Sequence, residues 1–191
     1  GTVYSMTSYN GKLYAGLGYG TGDAEVWEYN GSVWTKVGGD AINSSWADTT
    51  YETVYSMTSY NGKLYAGLGS GVGDAEVWEY DGSVWIKIGG DATKSSWADA
   101  TYEYIYSMTS YNGKLYAGLG LSAGEAEVWE YNGSVWTKVG GDAINSSWAD
   151  LTYERVHSMT SYNGKLYAGL GLGSGEAEVW EYNGSVWTKV G

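Results

Sequence analysis

Val3 to Gly38 reads VYSMTSYNGKLYAGLGYGTGDAEVWEYNGSVWTKVG, and this stretch decides the fold. It returns with few changes at Val54, Ile105 and Val156, each time 51 residues further on. A fixed period of this length marks a repeat array or a propeller, whatever a length of 191 residues would suggest about domain count. The chain holds 31 Gly, 20 Tyr and 11 Trp but no Phe, Pro or Cys. Avoidance of three residue types points to copying from one short unit.

Within the unit, Val3 to Tyr9 alternates as a strand should, and Asn10-Gly11 follows at once. A two-residue Asn-Gly loop is a strong hairpin signal, because both positions take positive φ. Lys12 to Gly18 is the returning strand, and a Gly-rich loop, Tyr19 to Asp23, leads to a third at Ala24 to Tyr29. Asn30-Gly31 predicts a second tight hairpin into Ser32 to Gly38. The unit is therefore a four-stranded antiparallel meander. Its strands carry apolar residues on both faces, so each sheet has to lie between two others. Four-stranded sheets stacked radially are the blades of a β-propeller, and a flat stack of hairpins is the competing arrangement.

The expected organisation is one repeat domain over residues 1–191. Its blades are 1–38, 54–89, 105–140 and 156–191, and its crossovers are 39–53, 90–104 and 141–155. Both termini fall at one blade junction, so every blade has its four strands. The end blades carry the same large apolar residues as the inner ones: Tyr4, Leu13, Trp27 and Trp34 at one end, Leu166, Trp180 and Trp187 at the other. Burial of such a side chain stabilises by roughly 1.5–3 kcal/mol, so closure is expected. Four blades could close alone, or two chains could pair head to tail into an eight-bladed ring. The bulky inner residues Tyr4 and Met6 favour the wider ring, with the homodimer as the expected partner state.

YNGKLYAGLG, EVWEYNGSVW and the Trp early in the fourth strand give the unit a resemblance to the kelch repeat. In that pattern a hydrophobic strand ends in a Gly pair, followed by a spaced aromatic and a Trp; here the pair is interrupted as Gly16-Leu17-Gly18. The resemblance implies a propeller of near-identical blades and carries over no functional residue.

The net charge is −12, from ten basic and 22 acidic residues. That argues against nucleic acid and against an anionic membrane surface as partners. No apolar run approaches the roughly 18 residues that span a bilayer, and the opening GTVYSM has none of the regions of a signal peptide. Absence of Cys removes disulfides, thiolate metal sites and cysteine nucleophiles, and leaves the compartment open.

Binding is expected on the long-loop face, where the copies differ most. Tyr19 lies in the first such loop, and Thr53, Tyr104 and Arg155 share one position before the first strand. Trp46, Trp97 and Trp148 sit in the crossovers, either as stacking platforms for sugar rings or as plugs against the blade edge. Asp40, Asp48 and Glu52, with Asn43, are the candidate oxygen ligands for calcium, although no EF-hand spacing is present. No other cofactor is implied. His157, the single His, stands where the other copies have Tyr4, Tyr55 and Tyr106, so packing is its expected role. Glu25 and Glu28 recur in every blade, whereas a glycosidase needs one asymmetric acid pair. The leading expectation is a non-enzymatic scaffold or binding module for a protein or carbohydrate ligand. The alternative is a lectin-like module, and a calcium-binding or enzymatic propeller comes third.

Overall fold

The computed structural model describes residues 1–47, 50–71, 73–98, 102–149, 152–171 and 177–191. The first blade is β1 (Thr2–Tyr9), β2 (Lys12–Gly18), β3 (Glu25–Tyr29) and β4 (Trp34–Gly38). The second is β5 (Thr53–Tyr60), β6 (Lys63–Gly69), β7 (Glu76–Tyr80) and β8 (Trp85–Gly89). The third is β9 (Ile105–Tyr111), β10 (Lys114–Leu119), β11 (Glu127–Tyr131) and β12 (Trp136–Gly140). The fourth is β13 (Val156–Tyr162), β14 (Lys165–Leu170), β15 (Glu178–Tyr182) and β16 (Trp187–Lys189). Each blade is an antiparallel meander, and a single pairing of Gly18 with Thr53 ties the second blade to the first. The first strands of successive blades touch one another, β1 with β5, β5 with β9 and β9 with β13. The sheets therefore fan out from their first strands, as propeller blades do.

The first hairpin of each blade is the tight turn that Asn-Gly predicts: Asn10 has φ 48° and Gly11 φ 73°, and the other three copies match. The second hairpin differs. Gly31 has φ 99°, but Asn30 is not left-handed. Its side-chain Oδ1 accepts from Ser32 N at 2.9 Å and Val33 N at 3.1 Å, which widens the turn and starts β4 only at Trp34. An Asn side chain that mimics a backbone turn removes the need for two positive φ angles.

The crossovers contain a feature that periodicity does not show. Each opens with a 3-10 turn, Ile42–Ser44, Thr93–Ser95 and Ile144–Ser146. In the first, Asp40 and Ala41 just before the turn and Asn43 and Ser44 inside it all have positive φ. Non-glycine residues rarely hold that conformation. Local hydrogen bonds hold it here: Gly39 N donates to Ser45 Oγ at 2.9 Å, Asn43 Nδ2 to Val37 O at 3.0 Å, and Ala41 N to Trp46 O at 3.0 Å.

Three apolar cores lie between blades, not within them. In the first, Val26 and Val37 of blade one meet Val54, Leu64, Leu68 and Trp85 of blade two, with Trp46 of the crossover closing the edge. The two outer faces have no such partner. Trp34 is 44% exposed where Trp85 is 2%, and Val3 is 52% exposed where Val54 is 0%. At the other end Val179 is 42% exposed where Val128 is 0%, and Val190 52% where Val37 is 6%. The alternative of four blades closing alone is thus corrected. The lone chain is an open arc with an apolar face at each end.

Candidate functional site

The first strand of every blade carries a β-bulge. Register slips between Val3 and Ser5, between Val54 and Ser56, and between Val156 and Ser158, and β9 slips opposite Gly118 and Leu119. The unpaired extra residue is Tyr4, Tyr55, Tyr106 and His157 in turn. A bulge re-aims its side chain out of strand alternation. Here the four rings line up along the inner strands, with centroids 5.4 Å apart for Tyr4–Tyr55, 5.6 Å for Tyr55–Tyr106 and 5.6 Å for Tyr106–His157. Tyr104 joins them, 4.9 Å from Tyr55 and 5.2 Å from Tyr106. The cluster sits where the first strands begin, at the long-loop end of the fan.

Arg155 completes it. Its guanidinium carbon lies 5.0 Å from the centre of the Tyr106 ring, and its Nη2 is 3.9 Å from Glu154 Oε2. Among the described residues, Arg155 Nε is the one buried side-chain nitrogen or oxygen without a hydrogen-bond partner. A buried donor left unmade is costly, so such a group calls for an explanation.

Burial raises the Tyr106 hydroxyl well above the usual phenol range and outweighs the opposing Arg155 cation. Burial, with Tyr55 and Glu103 added, pushes Tyr104 up to about 12. Both remain protonated donors at neutral pH. Burial first and Arg155 second hold His157 below its ordinary value, which keeps it neutral there. Burial and the nearby Glu125 raise Glu103. The cluster therefore offers aromatic faces, hydroxyl donors, one cation and a carboxylate of raised pKa.

Of the residues expected at a site, Tyr104 and Arg155 meet in this cluster. Tyr19 stands outside it, strongly exposed on the loop between β2 and β3. The crossover tryptophans are not platforms for a ligand. Trp46, Trp97 and Trp148 are each 3% exposed and donate their indole N–H to Ala24 O, Ala75 O and Ala126 O at 2.7–2.8 Å. Each also meets two further Trp rings edge-on, Trp46 against Trp78 and Trp85. With both faces packed, none can stack on a sugar. This is a correction, and the cause is apolar burial of a side chain whose one donor finds a backbone carbonyl.

Among the described residues, the expected calcium ligands do not come together. Asp40 pairs with Lys36 at 2.6 Å, and Lys36 also binds Glu25. Asp91 with Lys87 and Asp142 with Lys138 repeat the arrangement. The strand lysines thus reach into the loops and neutralise these carboxylates. Asp48 lies outside the described residues. Among the described residues no cluster of three or more His, Cys, Asp or Glu could hold a metal ion, so Asp40 and Glu52 are not joined in one.

Two larger clefts lie on the opposite, short-turn face. One, of about 550 Å³, is lined by Ser8, Tyr9, Asn10, Ser59, Tyr60 and Asp81. The other, of about 530 Å³, uses the equivalent Ser110, Tyr111, Asn112, Ser161, Tyr162 and Asn183. They are polar grooves between adjacent turns, and no Lys, Arg or His lines them.

No family model matches this sequence, and no curated protein does. The fold, by contrast, is widely shared. A Trypanosoma rangeli sialidase structure aligns with a TM-score of 0.62 at 13% identity, over 97% of this chain and 37% of that one. A GH43 β-1,3-galactosidase bound to galactodeoxynojirimycin aligns with a TM-score of 0.54 at 10% identity, over 97% of this chain and 74% of that one. A quinohemoprotein alcohol dehydrogenase from Pseudomonas putida HK5 aligns with a TM-score of 0.60 at 12% identity, over the whole of this chain and 34% of that one. The chain spans little more than a third of the sialidase. At this identity the likeness establishes a propeller-type fold, and each neighbour's activity stays its own. The leading expectation of a non-enzymatic scaffold is nevertheless corrected. The solved structures that share the architecture include a sialidase and a GH43 galactosidase, so the fold itself does not point to a non-enzymatic scaffold.

Proposed function

We propose that this protein binds carbohydrate at the long-loop mouth of the fan, on Tyr55, Tyr104, Tyr106, His157 and Arg155. The observation that carries the reading is the unpartnered, buried Arg155 Nε set beside a run of aromatic rings. A sugar ring has apolar C–H faces that pack on aromatic rings, and hydroxyls that accept from a guanidinium and donate to a carboxylate. Tyr104 and Arg155 supply the donors, and Glu154, 3.9 Å from Arg155, and Glu103, beside Tyr104, the carboxylates. The net charge of −12 favours neutral sugars over acidic ones. The sialidase and galactosidase neighbours support the class of ligand without specifying it.

The test is calorimetric titration with a panel of neutral mono- and oligosaccharides, with NMR of the same samples to detect turnover. Binding that Arg155→Ala weakens tenfold or more supports the site. Absence of heat and of any shift at millimolar sugar across the panel overturns it. Appearance of a reducing end would extend the reading from binding to hydrolysis.

A further inference from the structure

The two uncovered faces of the arc are copies of faces that already dock on one another three times within the chain. Trp85 Nε1 donates to Val37 O at 2.9 Å, Trp136 Nε1 to Ile88 O at 2.8 Å and Trp187 Nε1 to Val139 O at 2.8 Å. The same 51-residue step gives Trp34 as the next donor and Val190 O as the next acceptor. Ser5, Ser56 and Ser107 donate in turn to Val54 O, Ile105 O and Val156 O. The next donor is Ser158 and the next acceptor Val3 O. Tyr9, Tyr60 and Tyr111 donate to Gly62 O, Gly113 O and Gly164 O. The next donor is Tyr162, strongly exposed where Tyr111 is buried, and the next acceptor is Gly11 O.

The glycines show the same vacancy from the other side. A Cβ on Gly16, Gly67 or Gly118 would meet Val54, Ile105 or Val156 of the following blade at 2.5–2.8 Å. A Cβ on Gly169 would meet only Ser158 of its own blade. Gly38, Gly89 and Gly140 lie under Trp85, Trp136 and Trp187, whereas Gly191 meets only Val179. Blade four thus has an empty socket at Gly169 for Val3 and another at Gly191 for Trp34.

We infer that a second copy of this chain fills those sockets, first blade on fourth blade and the reverse, to close an eight-bladed ring with two-fold symmetry. Whole copies can close a ring only in multiples of four blades. Four is excluded by the bare ends, and twelve exceeds the typical range of about four to eight blades. Head-to-tail contacts of this kind close when the rotation per copy divides the circle. The ring also completes the inner girdle, since His157 then neighbours the partner's Tyr4 as Tyr106 neighbours His157 within one chain. This inference rests on the blade faces and is independent of any sugar.

Sedimentation equilibrium of the 191-residue chain at tens of micromolar tests it. The expected mass is twice the 20.6 kDa of one chain. Two variants probe the two faces separately, Trp34→Ala on blade one and Val179→Glu on blade four. Both side chains are solvent-exposed in a lone chain, so each variant keeps its far-ultraviolet circular dichroism while its mass falls to one chain. An equimolar mixture of the two regains a two-chain species, because one face of each partner is intact. A wild-type mass of one chain or of three, an unbounded ladder of masses, or a dimer that survives both substitutions would overturn the inference.

Discussion

Asn10 and Asn30 are each followed by Gly and then by a returning strand, yet they make different turns. Asn10 adopts φ 48° itself, whereas Asn30 spends its side chain on Ser32 N and Val33 N. Asn30→Ala removes that acceptor and exposes two donors to water, so chemical denaturation should show a loss of about 0.5–1.5 kcal/mol. In blade two the same turn uses Asp81, whose carboxyl falls to about 2 because Val84 N, Ser83 Oγ and Ser83 N all donate to it. His157 gives a cleaner pH signature. Its folded pKa is depressed below 6.5 by partial desolvation and then by Arg155, a small effect because the side chain is still exposed in the lone chain, so the unfolded chain binds the proton first. That contribution to stability is complete above about 6.5 and shrinks as pH falls through that value toward the folded one. The stability difference between the wild type and His157→Tyr should therefore drift against the wild type between pH 7.5 and 5.5. A difference that does not change with pH would show that His157 is not desolvated.

At the scale of elements, the crossover matters as much as the strands. Trp97 is buried on Trp129 and Trp136 and hydrogen-bonded to Ala75 O. Trp97→Ala leaves a large cavity and an unpaired carbonyl, with an expected cost of about 3–5 kcal/mol. The strand ion pairs divide by burial. Glu76 is almost fully buried beside Lys87, so Lys87→Met strands a carboxylate and should cost about 3–5 kcal/mol. Lys12 is more exposed than Lys87, 41% against 24%, and Lys12→Met should cost about 0–1 kcal/mol by chemical denaturation. The strands were legible because alternation and Asn-Gly turns are local signals. The 3-10 turn and the first-strand bulges were not. The turn rests on short-range side-chain bonds such as Gly39 N to Ser45 Oγ, which give no alternation, and the bulges go with bonds between segments far apart in sequence, such as Ser5 Oγ to Val54 O.

For the whole molecule, closure by a second copy would make stability depend on concentration, since association favours the folded state by mass action. The thermal midpoint should rise as protein is raised from about one to a hundred micromolar, and Trp34→Ala should flatten that rise. A midpoint insensitive to concentration in the wild type would speak for a self-sufficient arc. The sequence alone determined the repeat, the four-stranded blades and the need to cover both faces of each sheet. These follow from period, alternation and turn chemistry, which act over a few residues. Only the tertiary structure decided that the tryptophans of the crossovers are plugs, that Tyr55, Tyr104, Tyr106, His157 and Arg155 converge, and that four blades leave the arc open. Each depends on how one blade is inclined on the next, and that angle is set by packing across the interface, which no single stretch of sequence encodes.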